Sequence, residues 1–377
     1  MVEQALRSTA LEATHESLGA TFTDFAGWRM PVRYASDLAE HAAVRERAGL
    51  FDLSHMGEIH LRGPQAGDAL DNALAGKLSA LSVGRAKYSL LLTEDGGVID
   101  DVITYRLAED HFLTVANAAN AEIDAQELTA RAAGFDVEVE DASARTALIA
   151  VQGPRSEAIL LRWFEGTDPG VEGLLAEDLT GMRNYRFAAG TYRGQELLIA
   201  RTGYTGEDGF ELYVPADLAP SLWEQLTAAG GDDLTPCGLA CRDTLRLEAG
   251  MPLYGHELGR DLHPAQSGMG RLPALRTKGD FVGRAAIENA EVEDRPVLVG
   301  LVAEGRRAAR AGSAVRGPDG ADVGTVSSGA LSPTLGHPIA MAFVRPDLSE
   351  AGTELVVDVR GKDLPVRVVA LPFYSRA

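Results

Sequence analysis

Two adjacent acids, Asp100 and Asp101, stand inside the run Val98-Ile-Asp-Asp-Val-Ile-Thr-Tyr105, flanked on both sides by apolar residues. Successive side chains of a strand point to opposite faces, so Ile99, Asp101, Ile103 and Tyr105 share one face and Val98, Asp100, Val102 and Thr104 the other. One carboxyl group is therefore expected to turn away from water. Burying a carboxylate is costly unless it is hydrogen-bonded or paired, so such a group is either a structural acceptor, the commoner case, or a group that handles protons. On the next strand Leu113, Val115 and Asn117 share a face, and Asn117 closes that strand, where a cap or turn role is the ordinary use of the residue. Glu211 lies between Phe210 and Leu212, on the opposite face with Tyr213, and by itself reads as solvent-facing. Arg242 and Arg246, one helical turn apart, form a basic ridge suited either to a carboxylate ligand or to ion pairing with Asp243 and Glu248.

These groups need a scaffold, and the pattern along the chain supplies one. Ser36 to Gly49 reads as a helix, capped by Ser36 and stopped by Gly49. Alternating or β-rich runs at Ile59–Arg62, Tyr88–Thr93, Val98–Leu107 and His111–Ala116 predict an antiparallel meander. A helix from about Ala118 to Ala133 follows, with Ile123, Leu128 and Ala132 toward the sheet and Gly134 as terminator. Strands at Ala147–Val151, Glu196–Arg201 and Phe210–Val214 make a second α+β stretch. Thr235 and Pro236 then predict the cap and first position of a helix that ends at Gly250. After a charged, aperiodic segment between Arg271 and Arg295, short strands separated by Gly and Pro predict a small all-β barrel or sandwich.

Composition narrows the functions available. A chain of 377 residues, 45% hydrophobic, can bury large cores and is long enough for two or three domains. Its apolar stretches fall far short of the roughly 20 residues that cross a bilayer. Residues 1–12 lack the apolar core of a signal peptide and the Arg-rich look of a transit peptide, so a cytoplasmic location is expected. A formal charge of −20 disfavours a phosphate backbone as partner. Cys237 and Cys241, one helical turn apart and without nearby histidines, point to a reduced, metal-free protein. His55 and His60 lie five apart on a strand and face opposite sides, which argues against a shared metal. Phosphate-binding glycine loops, the dinucleotide fingerprint, the serine elbow and the zinc-protease motif are all absent from the sequence.

Six strings in order carry a resemblance: Phe25-Ala-Gly-Trp-Arg-Met-Pro-Val-Arg-Tyr34, Phe51-Asp-Leu-Ser-His-Met-Gly57, Gly96-Gly-Val-Ile-Asp-Asp101, Val151-Gln-Gly-Pro154, Arg201-Thr-Gly-Tyr-Thr-Gly-Glu-Asp-Gly209 and Arg242-Asp-Thr-Leu-Arg-Leu-Glu-Ala-Gly250. Together they resemble the aminomethyltransferase family, the T-proteins of the glycine cleavage system. Gly324-Thr-Val-Ser-Ser-Gly329 and Pro372-Phe-Tyr374 extend the match toward the C-terminus.

The resemblance implies an α+β, three-lobed fold with antiparallel sheets plus a C-terminal β-barrel, divided into a folate-binding region at 8–270 and a barrel at 285–374. It implies transfer of a methylene carbon from the aminomethyl-lipoyl arm of an H-protein to tetrahydrofolate, with release of ammonia. Functional association with the P-protein and L-protein is implied too, and no role for nucleic acid or membrane. Asp101 resembles the family's catalytic aspartate, Glu211 the acceptor for the pterin edge, and Arg242 the folate-contacting arginine. Tyr88, Tyr105, Val115, Asn117 and Tyr204 match positions lining the folate cavity. Met56 falls near the lipoyl entrance, and Tyr374 is a further cofactor-binding match.

The sequence departs from the family at Pro264-Ala-Gln-Ser-Gly-Met-Gly-Arg-Leu272, which bears on substrate specificity. An acidic H-protein would need a local basic patch, expected at Arg29 and Arg33 beside Trp28. Two sister activities share the scaffold. One is a tetrahydrofolate-dependent demethylase; the other is a non-catalytic iron–sulfur assembly factor, whose Lys-Gly-Cys-Tyr/Phe-x-Gly-Gln-Glu motif this sequence lacks.

Overall fold

The computed structural model describes residues 5–376; part of the N-terminal leader reading therefore lies outside the described residues. The chain forms two compact units. One holds residues up to Ala69, Ser79–Lys87 and Ile103–Asp243; the other holds Leu70–Leu78, Tyr88–Val102 and everything from Thr244 onward.

The first unit is built on a seven-stranded sheet ordered Val171–Glu172, Phe187–Tyr192, Gln195–Ala200, Gly209–Pro215, Thr146–Gln152, Ala48–Asp52 and Leu234–Pro236. The neighbours are antiparallel except for the last pair, which is parallel. Helices Ser156–Phe164 and Ala219–Gly230 cover one face. The second of these buries Leu222, Trp223, Leu226 and Gly230, the i, i+4 and i+8 stripe with one flanking position that a core-facing helix requires. Trp163, Tyr192, Phe210, Ile149 and Leu50 fill the space between.

A second sheet contributes residues 103–108, His111–Ala116, Gly57–Arg62 and Glu138–Asp141 to this unit. Its register aligns Ile103, Val115 and Glu58 in one row and Tyr105, Leu113 and His60 in the next. Cross-strand partners share a face, so all six side chains lie on the same side.

Three expectations fail here for tertiary reasons. The helix expected from Ser36 to Gly49 runs Asp37–Glu46, and Gly49 sits in the following strand. A side chain at Gly49 would come within 2.5 Å of Val44 Cγ2 and 2.8 Å of Cys237 Sγ, so the residue serves close packing rather than helix termination. Thr235 and Pro236 do not open a helix. They pair in parallel with Gly49 and Leu50, and the helix begins at Leu239. Proline is tolerated because this strand is at the sheet edge. Glu40 holds the junction, accepting the Gly238 N–H at 2.9 Å and the Tyr34 N–H at 2.8 Å. The third concerns the helix Ala121–Arg131, which buries Leu128 as expected but leaves Ile123 39% exposed.

The second unit contains the hairpin of residues 88–92 and 98–102, a coil, and a closed six-stranded barrel ordered Val297–Ala303, Pro338–Val344, Asp322–Leu331, Ala314–Arg316, Glu354–Asp358 and Asp363–Val369. In the last strand Leu364, Val366 and Val368 point inward and alternate with exposed Asp363, Pro365 and Arg367, the period-two signature legible in the sequence. The aperiodic charged segment is ordered by its cations. Lys278 Nζ binds the carbonyls of Asp71 at 2.5 Å, Gly76 at 3.0 Å and also Leu74. Arg284 binds those of Leu275, Lys278 and Gly279 at 2.7–2.8 Å.

Candidate functional site

In the second unit the two adjacent acids separate as strand geometry requires. Asp100 is fully buried and Asp101 is half-buried. Tyr88, on the neighbouring strand, donates its phenol O–H to Asp101 Oδ2 at 2.9 Å and lies 3.8 Å from Met269 Sδ. Met269 belongs to the stretch in which the sequence departs from the family. Gly97, just before these acids, lets the Arg260 backbone approach closely, since a side chain there would meet the Arg260 carbonyl oxygen at 1.7 Å. The result is a partly open carboxylate steadied by a phenol. Tyr374, also in this unit, is tied to the end of the helix Leu239–Glu248 by its N–H to the Glu248 carbonyl at 2.8 Å.

The first unit holds a connected polar cluster. Glu211, read from its strand as solvent-facing, is only 8% exposed. Its Oε2 accepts Thr202 Oγ1 at 2.5 Å and the Tyr105 hydroxyl at 3.5 Å. Tyr213 in turn donates to the Tyr105 hydroxyl at 3.2 Å, and the two rings meet edge to face. Both donors to Glu211 address the same oxygen, which leaves Oε1 without a protein donor among the described residues. Burial raises the Glu211 carboxyl above its ordinary range, while Thr202, the Arg242 charge and Tyr105 pull it back. Burial also raises the phenols of Tyr105 and Tyr213, so both remain O–H donors throughout the physiological range. The Arg242 guanidinium stacks over Tyr204 at 4.9 Å from the ring centre.

Other expected positions are placed less tightly. Val115 is buried in the row with Glu58 and Ile103. Asn117 is half-buried just beyond the end of its strand, its carbonyl accepting the Asn120 N–H at 2.9 Å. Met56 is half-buried in the turn before Gly57. Arg246, the other residue of the ridge, is 2% exposed. It is a buried structural group bonded to Glu257 at 3.1 Å and Ser328 at 2.8 Å. Arg29 is matched by Glu12 at 2.6 Å and Glu16 at 2.9 Å, and Arg33 lies 3.4 Å from Asp37, so the expected basic patch is electrically offset.

Four residues of this region carried no assigned role in the sequence. Thr202 and Tyr213 complete the Glu211 cluster; Thr202 lies within the recognised Arg201–Gly209 string, and Tyr213 was visible only as a face-mate of Glu211. His55 is buried with its Nδ1 unbonded, and burial lowers its pKa to about 4. Glu58 is fully buried with neither carboxyl oxygen bonded, and burial, helped by the Asp141 charge, pushes its pKa well above the ordinary carboxyl value. Nothing in Gly57–Arg62 signals that its polar face is covered. Among the described residues no group of three His, Cys, Asp or Glu side chains is arranged to hold a metal, and no helix is long and apolar enough to cross a membrane.

Comparison with known proteins agrees over the whole chain. The GCVT N-terminal domain family matches residues 11–277, and the glycine cleavage T-protein C-terminal barrel domain matches 297–375. An aminomethyltransferase of Cutibacterium acnes is 62% identical over 372 residues, 99% of each chain. One from Streptomyces coelicolor is 55% identical over the full length of both. The crystal structure of glycine cleavage system aminomethyltransferase T from Bartonella henselae superposes with a TM-score of 0.89 at 37% identity, covering 98% of each chain. With both domain families matched in order, and relatives this similar from end to end, the chain belongs to the glycine cleavage T-protein family of aminomethyltransferases.

Proposed function

We propose that this protein transfers the methylene carbon of an aminomethyl group, carried on the lipoyl arm of an H-protein, to tetrahydrofolate. The products are 5,10-methylenetetrahydrofolate, ammonia and the dihydrolipoyl arm. The full-length relatives, all named aminomethyltransferases, favour this over the demethylase and the assembly-factor readings. Association with the P-protein and L-protein, a cytoplasmic location and the functional division at 8–270 and 285–374 belong to the same reading.

Tetrahydrofolate supplies the two nitrogens that take up the carbon. The protons those nitrogens lose balance the two gained on the departing amine and on the lipoyl sulfur. Glu211 fits a pterin: its Oε1 has no protein donor, and the pterin edge offers N–H groups side by side. Arg242, flat against Tyr204, would hold the ligand beside that acceptor. Val115, Asn117, Tyr105 and Met56 are assigned to the lining, and Tyr374 to the rim. Asp101 is assigned the proton traffic, with Tyr88 fixing the orientation of its carboxylate.

The single observation carrying the catalytic assignment is a half-buried carboxylate, held by a phenol, among largely apolar neighbours in its strand. A positioned acid–base group contributes on the order of 10²- to 10⁴-fold in rate. Asp101→Asn should therefore keep folate affinity and lose about that factor in ammonia release from loaded H-protein. Near-normal release would remove Asp101 from the mechanism.

A further inference from the structure

Within the second unit, the stretch 264–272, where the sequence departs from the family, brings Met269 to the Tyr88–Asp101 pair. Its backbone is closely fixed. Gly268 takes a φ of 76°, the Met269 N–H reaches back to the Pro264 carbonyl at 2.8 Å, and the Gly268 N–H bonds the Ala265 carbonyl at 3.2 Å. Two such bonds around a left-handed glycine are the closure that ends a helical turn, and they hold the residue that follows in one place. Ser267 and Gln266 tie the turn down further, donating to the Glu257 carbonyl at 2.5 Å and the Pro296 carbonyl at 2.9 Å. The Met269 side chain packs on the cluster that contains Leu90, Val98, Leu258 and Phe281.

The sulfur so placed stands beside a shared proton. The Tyr88 O–H goes to Asp101 Oδ2 at 2.9 Å, and the same hydroxyl lies 3.8 Å from Met269 Sδ; all three side chains are half-buried. A phenol has one proton to donate, and its oxygen also accepts. While Asp101 is ionised, its carboxylate outcompetes a thioether for that proton, because a charge-assisted bond is about twice as strong as a neutral one and the thioether is a weak acceptor. Protonation of Asp101 reverses the order, since the carboxyl then carries an O–H of its own and is no longer a charged acceptor.

We propose that Met269 is a positioning residue for Asp101, taking the Tyr88 proton in the half of the cycle in which Asp101 is protonated. The inference rests on the proton-handling reading of Asp101. In the ionised half the bond runs from Tyr88 to Asp101. In the protonated half the bonds run from Asp101 to the Tyr88 oxygen and from the Tyr88 O–H to the sulfur. Only the phenol O–H rotates; no covalent bond is made or broken, and the carboxyl group keeps one orientation throughout. A thioether suits this task because it does not titrate and is too weak an acceptor to draw the phenol from the ionised carboxylate.

The test is steady-state ammonia release from loaded H-protein, with kcat and the KM for each substrate measured separately and thermal melting as the check on folding. Met269→Leu keeps the apolar bulk and removes the acceptor; it should lower kcat about 5-fold and leave both KM values within about 2-fold. Met269→Gln restores an acceptor oxygen at similar length and should recover most of the loss, whereas a packing role would favour Leu over Gln. In a Tyr88→Phe background Met269→Leu should cost nothing further, because the sulfur acts only through the phenol. If the Gln variant fails to fold, that double-variant comparison carries the test. Parental kcat in Met269→Leu, a loss that persists in Tyr88→Phe, or faster turnover with Leu than with a folded Gln variant overturns the assignment. Near-normal turnover in Asp101→Asn would instead refute the proton-handling reading of Asp101.

Discussion

Asp52 and Glu211 belong to one sheet and differ in which face they use. Asp52 pairs with Ile149 and Glu211 with Ala150 on the shared strand, so the two carboxyls point to opposite sides. Asp52 goes to the helix-covered side with Ile149, where both of its oxygens are engaged. Thr9 donates at 2.6 Å, His15 Nε2 lies at 2.9 Å and the Ser54 N–H at 2.9 Å. His15 continues to the Tyr34 hydroxyl at 2.9 Å. Although burial opposes it, these partners hold the Asp52 pKa below its ordinary value. Glu211 receives two donors on one oxygen and has its pKa raised. Asp52, engaged on both oxygens, is tied into the fold, whereas Glu211, engaged on one, keeps an acceptor open, which is what the proposed folate role requires.

That contrast can be broken most forcefully at Asp52. Asp52→Ala strands three partners, His15 and the Ser54 N–H buried and Thr9 half-buried, and a stability loss of about 3–5 kcal/mol in denaturant titration is expected. The pH dependence should carry opposite signs at the two sites. The lowered Asp52 pKa contributes stability present above its unfolded value of 3.8 and lost as pH falls through the folded value. The raised Glu211 pKa costs stability as pH rises above 4.5. Equal slopes in the two variants would dissolve the distinction.

Glu211→Gln comes next. It should leave stability within about 1 kcal/mol of the parent while costing about 1.5–3 kcal/mol of folate binding, the worth of a hydrogen bond to a charged group. The smallest effect belongs to Glu58, whose oxygens have no partner at all. Glu58→Met should be neutral or stabilise by up to about 1 kcal/mol, because it removes a desolvation cost without breaking a bond. A loss of more than that would mean the acid is engaged after all.

The sequence exposed these features unevenly. Alternation in Phe210-Glu-Leu-Tyr213 correctly placed Phe210 and Leu212 in the core, and both lie there. It could not say whether the other face was wet, because that depends on what covers it, and nothing in the strand's own residues encodes the cover. That one of the adjacent acids turns from water was legible because apolar neighbours surround the pair within their own strand, and Asp100 is the one fully buried. The barrel was legible because its strands alternate inward and outward. By contrast, Thr235-Pro236 carried a strong local helix-start signal that pairing with Gly49 and Leu50 overrode. Glu58 and His55 left no mark in local pattern, since their burial without partners is set by residues distant in sequence.

The interleaving of the two units has a consequence for biosynthesis. Leu90, Leu92 and Val98 leave the ribosome early, yet the residues that cover them, Leu258, Phe281 and Ile287, emerge roughly 160 residues later. At about 5–20 residues per second the nascent hairpin waits on the order of 10 s with its apolar side uncovered. During translation that hairpin is an apolar surface a chaperone could hold until its cover arrives.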